Sequence, residues 1–205
     1  MTTKKIHYIS GLTITIFITL HLFNHICSIF DAETHISVMN TLRVFYRNLF
    51  VETILLIAVF TQIVSGLKLF KTNRTIAVSA FDKLHLWSGH YLAIFFIIHL
   101  SAVLGGRFYL HLDTNFYFGV AGLNTFPLSL FFIPYYGLAI LSFFGHVAAI
   151  HNKKMKQTIL SLTPDSQSKI ILVFGIFLTL LLFFGLTNHF QGVKIPAEYN
   201  VLIGK

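Results

Sequence analysis

Charge is scarce in this sequence: 11% of its 205 residues are Asp, Glu, Lys or Arg, where a soluble globular domain carries about 25%. That scarcity excludes most water-soluble folds. Cysteine is nearly absent too. Cys27 stands alone, which rules out an intrachain disulfide, a thiolate metal cluster and the C-x-x-C-H attachment of c-type heme. Any heme here would be held without a covalent link to the chain. No internal repeat or low-complexity tract is visible. The length leaves room for one compact membrane domain, residues 1–205, and not for a second folded unit.

What is abundant is apolar. The chain is 55% hydrophobic, with 23 Phe. Five runs come close to the roughly 20 residues that cross a bilayer: Ile9–Phe30, Phe50–Phe70, Leu84–Leu104, Phe126–Ile150 and Ile170–Phe190. They predict an all-α integral membrane protein, a bundle of five transmembrane helices. Lys4 and Lys5 precede the first run as in a signal peptide. That run is too long for an h-region and no small-x-small cleavage pattern follows it, so it is expected to stay as a helix.

The net charge of +8 invites a nucleic-acid reading that its distribution refutes. With the N-terminus inside and successive connectors on alternate sides, the inner segments hold ten of the 15 basic residues and two of the seven acidic ones. The outer segments balance, five against five. All the net charge falls on one face, as the positive-inside rule requires. The sequence therefore predicts N-terminus inside, C-terminus outside, the lipid bilayer as partner, and no nucleic acid.

Two inner connectors are short and basic. The outer connector Gly105–Thr125 is longer and carries Phe108, Tyr109, Phe116, Tyr117 and Phe118. It reads as an interfacial aromatic belt or as a lid over a site at the outer surface. The other outer connector, Asp31–Leu49, suits a short surface helix. Pro134 and Gly137 lie early in the fourth run, where neighbouring helices can tolerate a bend.

The helix interiors hold no Asp, Glu, Lys or Arg; Glu52 and Lys68 mark the ends of the second run. They do hold histidine. An ionisable side chain in hydrocarbon is costly without a partner and marks a functional site by default, although a single histidine can equally bond a neighbouring helix. At a helical rise of about 1.5 Å per residue, His21 lies roughly 18 Å and His99 roughly 22 Å from the inner edge. The two reach matching levels in the outer half. Axial ligation of a heme iron needs such a pair of neutral imidazoles in a dry, aromatic slot, so His21 and His99 are the candidate axial ligands. His146 and His90, each within about 10 Å of the inner edge, are the candidate inner pair for a second heme. His85, nearer water, and Ser88 beside it are candidate propionate or quinone contacts. His25, one turn beyond His21 on the same face, reads as a quinone or propionate contact or as a surface residue. His189 reads as interfacial, and His7, His35 and His111 as solvated. Gly11, Gly66, Gly89 and Gly145 accompany these histidines and would let a macrocycle, or simply another helix, approach closely.

The spacing resembles a known family. Ser10-Gly11-Leu12, Phe17, His21-Leu22 and Asn24 resemble the first helix of the cytochrome b subunit of succinate dehydrogenases and fumarate reductases. Trp87-Ser88-Gly89 with His99 resembles its third helix, and Gly145-His146 falls near its fourth heme ligand. The resemblance spans about Ser10–His151 and implies a bacterial inner-membrane anchor. In that anchor, helices one and three hold an outer heme b, helices two and four an inner one, a quinone is the redox substrate, and flavoprotein and iron–sulfur subunits dock on the inner face. One departure stands out. Gln62 occupies the place of an inner ligand, four residues before Gly66. It implies either that the inner heme is absent or that His146 takes another partner such as His90, and it favours a stand-alone relative.

Two other classes compete. A di-iron membrane hydroxylase would match His21-x-x-x-His25 but needs about eight clustered histidines with H-x-x-H-H boxes, which the sequence lacks. A non-redox transporter would draw on Thr13, Thr15, Thr19, Thr61, Gln62 and Ser65, yet membrane threonines commonly bond their own backbone.

Overall fold

The computed structural model describes residues 2–205. Five helices are long and apolar enough to cross a membrane: α1 (Thr3–Ile26), α3 (Leu49–Asn73), α4 (Ala80–Phe108), α6 (Ser129–Lys154) and α7 (Pro164–Leu186). Two shorter ones, α2 (Ala32–Tyr46) and α5 (Phe116–Val120), lie in the connectors, and 3-10 segments cover Cys27–Ile29 and Ala197–Ile203. There is no strand among the described residues, only an isolated bridge between Ile159 and Leu162. The chain is an all-α, multi-pass integral membrane protein.

The helix starts follow from local chemistry. The first N–H groups of a helix lack intrahelical partners and take a side-chain oxygen instead. Thr2 caps α1, Asp31 caps α2, Asn48 caps α3 and Ser79 caps α4. Thr163 caps α7, with Pro164 in its first turn where no N–H is needed. The cap at Thr2 starts α1 six residues before the apolar run begins and brings His7 into the helix. Asp31 turns the Asp31–Leu49 connector into the expected surface helix. Pro134 sits inside α6 without ending it.

The spanning helices form a ring. α1 packs on α3, α3 on α4, α4 on α6 and α6 on α7; α7 returns to α1 and to the Cys27–Ile29 turn. α1 and α4 share no extended backbone packing and meet across the middle through side chains. Phe60, Val64, Phe177 and Leu180 project outward from the ring, each more than half exposed, as a lipid-facing surface requires.

One end of the ring carries Thr2 and the connectors 74–79 and 155–163; it is called the N-terminal end. The far end is capped. There α2, the connector 109–128 and the tail 187–205 pack together, with Arg43 paired to Asp113 at 2.7 Å and the Tyr199 hydroxyl donating to the Asp113 carbonyl at 3.0 Å. The densest apolar core lies just beneath, where Phe116, Val120 and Leu123 pack on Leu178, Leu182 and Leu186. The aromatic connector thus divides. Phe108 and Tyr109 are exposed like belt residues, while Phe116 is 3% exposed and plugs the bundle.

Gly185 fixes the contact of α7 with the Cys27–Ile29 turn, since a Cβ there would stand 2.8 Å from the Ile29 backbone nitrogen. Gly105 has open space around it. Gly185→Ala is expected to cost about 1–3 kcal/mol through overpacking and Gly105→Ala essentially nothing. Thermal unfolding of the two variants in detergent measures the difference; equal midpoints would contradict the assigned contact.

Candidate functional site

Four histidines gather in the far half of the bundle. The rings of His21 on α1 and His99 on α4 have centroids 6.3 Å apart with planes inclined at 68°. Phe17 stacks on His21 at 5.7 Å, and Phe95 stacks on His99 at 5.0 Å. The pair therefore sits between aromatic walls. His25 is not a surface residue. Its Nε2 lies 3.1 Å from His21 Nε2, and its Nδ1 lies 3.2 Å from His35 Nε2. Asn24 Nδ2 donates to the same His35 nitrogen at 3.1 Å. In a neutral ring that donation makes His35 Nε2 an acceptor.

His35 corrects the sequence reading. It was expected to be solvated and is 2% exposed, held between His25 and Phe116, whose ring centroid is 5.2 Å away. The signal was present in the spacing. His35, Ile36 and Met39 fall on one face of α2, and His35 and Met39 are both buried.

Two imidazoles on one metal, each at about 2 Å metal–nitrogen distance, hold their ring centroids roughly 6 Å apart. The separation of His21 and His99 suits that arrangement. Heme b also carries two carboxylates, and the far end offers cations. Arg43 Nε and NH2 are buried with no hydrogen-bond partner, while its NH1 serves Asp113. Arg47 donates to Thr114 at 2.6 Å, and Arg107 pairs with Glu52. Burial, then the guanidinium groups of Arg43 and Arg107, hold Arg47 below the usual arginine range, which marks the three cations as neighbours. Unpaired buried guanidinium donors fit a carboxylate-bearing ligand. Among the described residues no three His, Cys, Asp or Glu side chains form a metal-holding group; a heme iron takes at most two protein ligands.

The N-terminal half is organised differently. His146 on α6 packs against His85, ring centroids 4.4 Å apart, and its Nδ1 lies 3.2 Å from the His85 carbonyl oxygen and 3.3 Å from Ser88 Oγ. His90 is not brought to His146. It stacks on Phe70 at 4.1 Å, with its Nδ1 buried and unpartnered. Helix geometry explains the separation. At about 100° per residue, His85 and Ser88 share a face of α4, and His90 lies about 140° round from His85.

Gln62 is engaged. Ser10 Oγ donates to its Oε1 at 2.7 Å, and its Nε2 donates to His7 Nε2 at 3.3 Å. His7 Nδ1 lies 2.8 Å from Ser65 Oγ, so His7, expected to be solvated, is a helix–helix contact. The glycines serve these contacts. A Cβ on Gly89 would stand 2.9 Å from His146 Cε1, and one on Gly11 would stand 3.1 Å from Gln62 Nε2. His111 is exposed, as expected, and His189 is exposed with its Nε2 bonded to the Ile29 carbonyl at 2.9 Å.

Burial, then His21, then Arg43 push His35 down to about 4. A histidine whose pKa falls on folding leaves the unfolded chain holding more protons below its ordinary value near 6.5, so stability drops as pH falls. The loss runs from about pH 6.5 to about 4 and amounts to some 3 kcal/mol. Thermal unfolding at pH 7.5 and pH 4.5 is expected to show a larger acid-induced drop for the wild type than for His35→Asn. The same drop in both would remove His35 from this role.

No protein-family model, curated protein or solved structure matches the chain.

Proposed function

We propose that the protein is a b-type membrane cytochrome that passes single electrons between a quinone and a redox partner. His21 and His99 would hold the iron of its heme. The observation that carries this reading is the His21–His99 pair, two imidazoles from non-neighbouring helices 6.3 Å apart in an aromatic-walled setting. The heme supplies a one-electron iron couple, and the protein sets its potential and access. His21 and His99 would fix the position of the iron between α1 and α4. His25 and His35 orient His21 from behind, as partners of metal-ligating histidines do. Arg43 offers its two free donors to a propionate.

Support favours one heme over two. His146 faces His85 and Ser88 rather than His90, and Gln62 is bound to Ser10 and His7. The charge distribution supports a cytoplasmic N-terminal end, in which case the heme would lie toward the outer leaflet of a bacterial inner membrane. Flavoprotein and iron–sulfur subunits, where present, would dock on the basic end. A non-redox transporter built around the polar chain Ser10–Gln62–His7–Ser65 is the competing reading.

Heme content separates the two. His21→Ala and His99→Ala are each expected to abolish the sharp α-band of the dithionite-reduced minus oxidised spectrum, and Arg43→Gln to weaken heme retention about tenfold, the loss of a charge-assisted bond. A wild-type protein without heme, or alanine variants that keep it, would contradict the proposal.

A further inference from the structure

The N-terminal end has a feature that the heme reading does not use. A cleft of about 540 Å³ opens between the end of α3 and the start of α4, lined by Phe70, Arg74, Thr75, Lys83, Trp87 and His90 among others. That volume falls within the roughly 300–1,000 Å³ typical of sites for small ligands.

Its chemistry is graded. At the mouth stand Arg74 and Lys83, both exposed, and neither forms an ion pair among the described residues. The nearest carboxylate in sequence, Asp82, is occupied by Ser79 at 2.8 Å and Lys153 at 3.4 Å. Further in, the lining turns aromatic. Phe70 stacks on His90, and Trp87 meets Phe70 edge-on at 5.4 Å. His90 contributes a buried Nδ1 that has no partner. The surroundings are those of a membrane interface. Trp87 is 61% exposed, and the connector beside it holds out Ile76 and Val78 at 68% and 82% exposure. Trp and exposed apolar residues next to unpaired cations belong at headgroup level.

We propose that this cleft binds the headgroup of an acidic phospholipid from the surrounding leaflet. Arg74 and Lys83 would hold its phosphate, and the first methylenes would lie along Trp87. Basic pockets between membrane helices take anionic headgroups in this manner, and each nearby Lys or Arg adds to the attraction. The cleft shares no residue with the His21–His99 site in the far half of the bundle.

The test uses full-length protein in a neutral detergent, titrated with dioleoylphosphatidylglycerol or dioleoylphosphatidylcholine and followed by native mass spectrometry. One phosphatidylglycerol per chain is expected to survive activation that strips phosphatidylcholine. Combining Arg74→Gln with Lys83→Gln should weaken that binding about ten- to thirtyfold. Combining Lys4→Gln with Lys5→Gln, which removes the same charge from the same end outside the cleft, should change it less than about threefold. Trp87 is the only tryptophan in the chain, so its emission gives a second readout on unmutated protein, expected to shift with phosphatidylglycerol and not with phosphatidylcholine. Equal retention of both lipids, equal loss in the two double variants, or an emission shift reproduced by inorganic phosphate alone would each overturn the proposal.

Discussion

An imidazole inside hydrocarbon needs partners for its ring nitrogens, and that requirement organises the interior of this bundle. Without water, an unsatisfied polar group costs several kcal/mol, so most of the deep histidines turn toward something polar, while His90 Nδ1 stays buried and unpartnered. His21, His25 and His35 answer one another in sequence. His146 turns to the His85 carbonyl and Ser88, and His7 to Ser65 and Gln62. The rings act as ties between helices whose surfaces toward lipid and toward each other are otherwise mostly apolar.

The same rule divides the molecule into two halves of different character. In the N-terminal half the ties join neighbouring helices, α1 to α3 and α4 to α6, with glycines cut away to admit the side chains. In the far half the tie crosses the ring, from α1 to α4, where no backbone packing supports it. A pair that joins two non-neighbouring helices is better placed to enclose a flat cofactor than one wedged into a tight helix contact. The cap made by α2, Phe116 and the C-terminal tail closes that half toward water, and its arginines bring positive charge to the rim.

Much of this was legible in the sequence. The five spans, the surface helix after Asp31 and the meeting of His21 with His99 all follow from run length and helical rise. The misplacements share a cause: depth along a helix does not fix azimuth around it. His7 lies outside the first apolar run, yet His7, Ser10, Gly11 and Ile14 form an i, i+3, i+4, i+7 stripe, and the Thr2 cap extends the helix to include it. His35 sits in a connector with Asp31, Glu33 and Thr34, whose polarity concealed the turn by which α2 folds back under the cap. His90 lies at the depth of His146 but on the wrong face of α4, whereas His85, Ser88 and His99 share a face because fourteen residues make about four turns. That Arg43 would be left with unpartnered donors depends on Asp113 and the C-terminal tail, which are joined to it only in three dimensions.

The pairing of His21 and His99 on one iron is most directly examined by electron paramagnetic resonance of the air-oxidised protein purified from its host membrane. Two imidazole ligands predict a low-spin ferric heme signal, about one per chain, that is absent from protein carrying His99→Ala. A high-spin heme signal in the wild type, or a protein free of heme iron, would contradict the account.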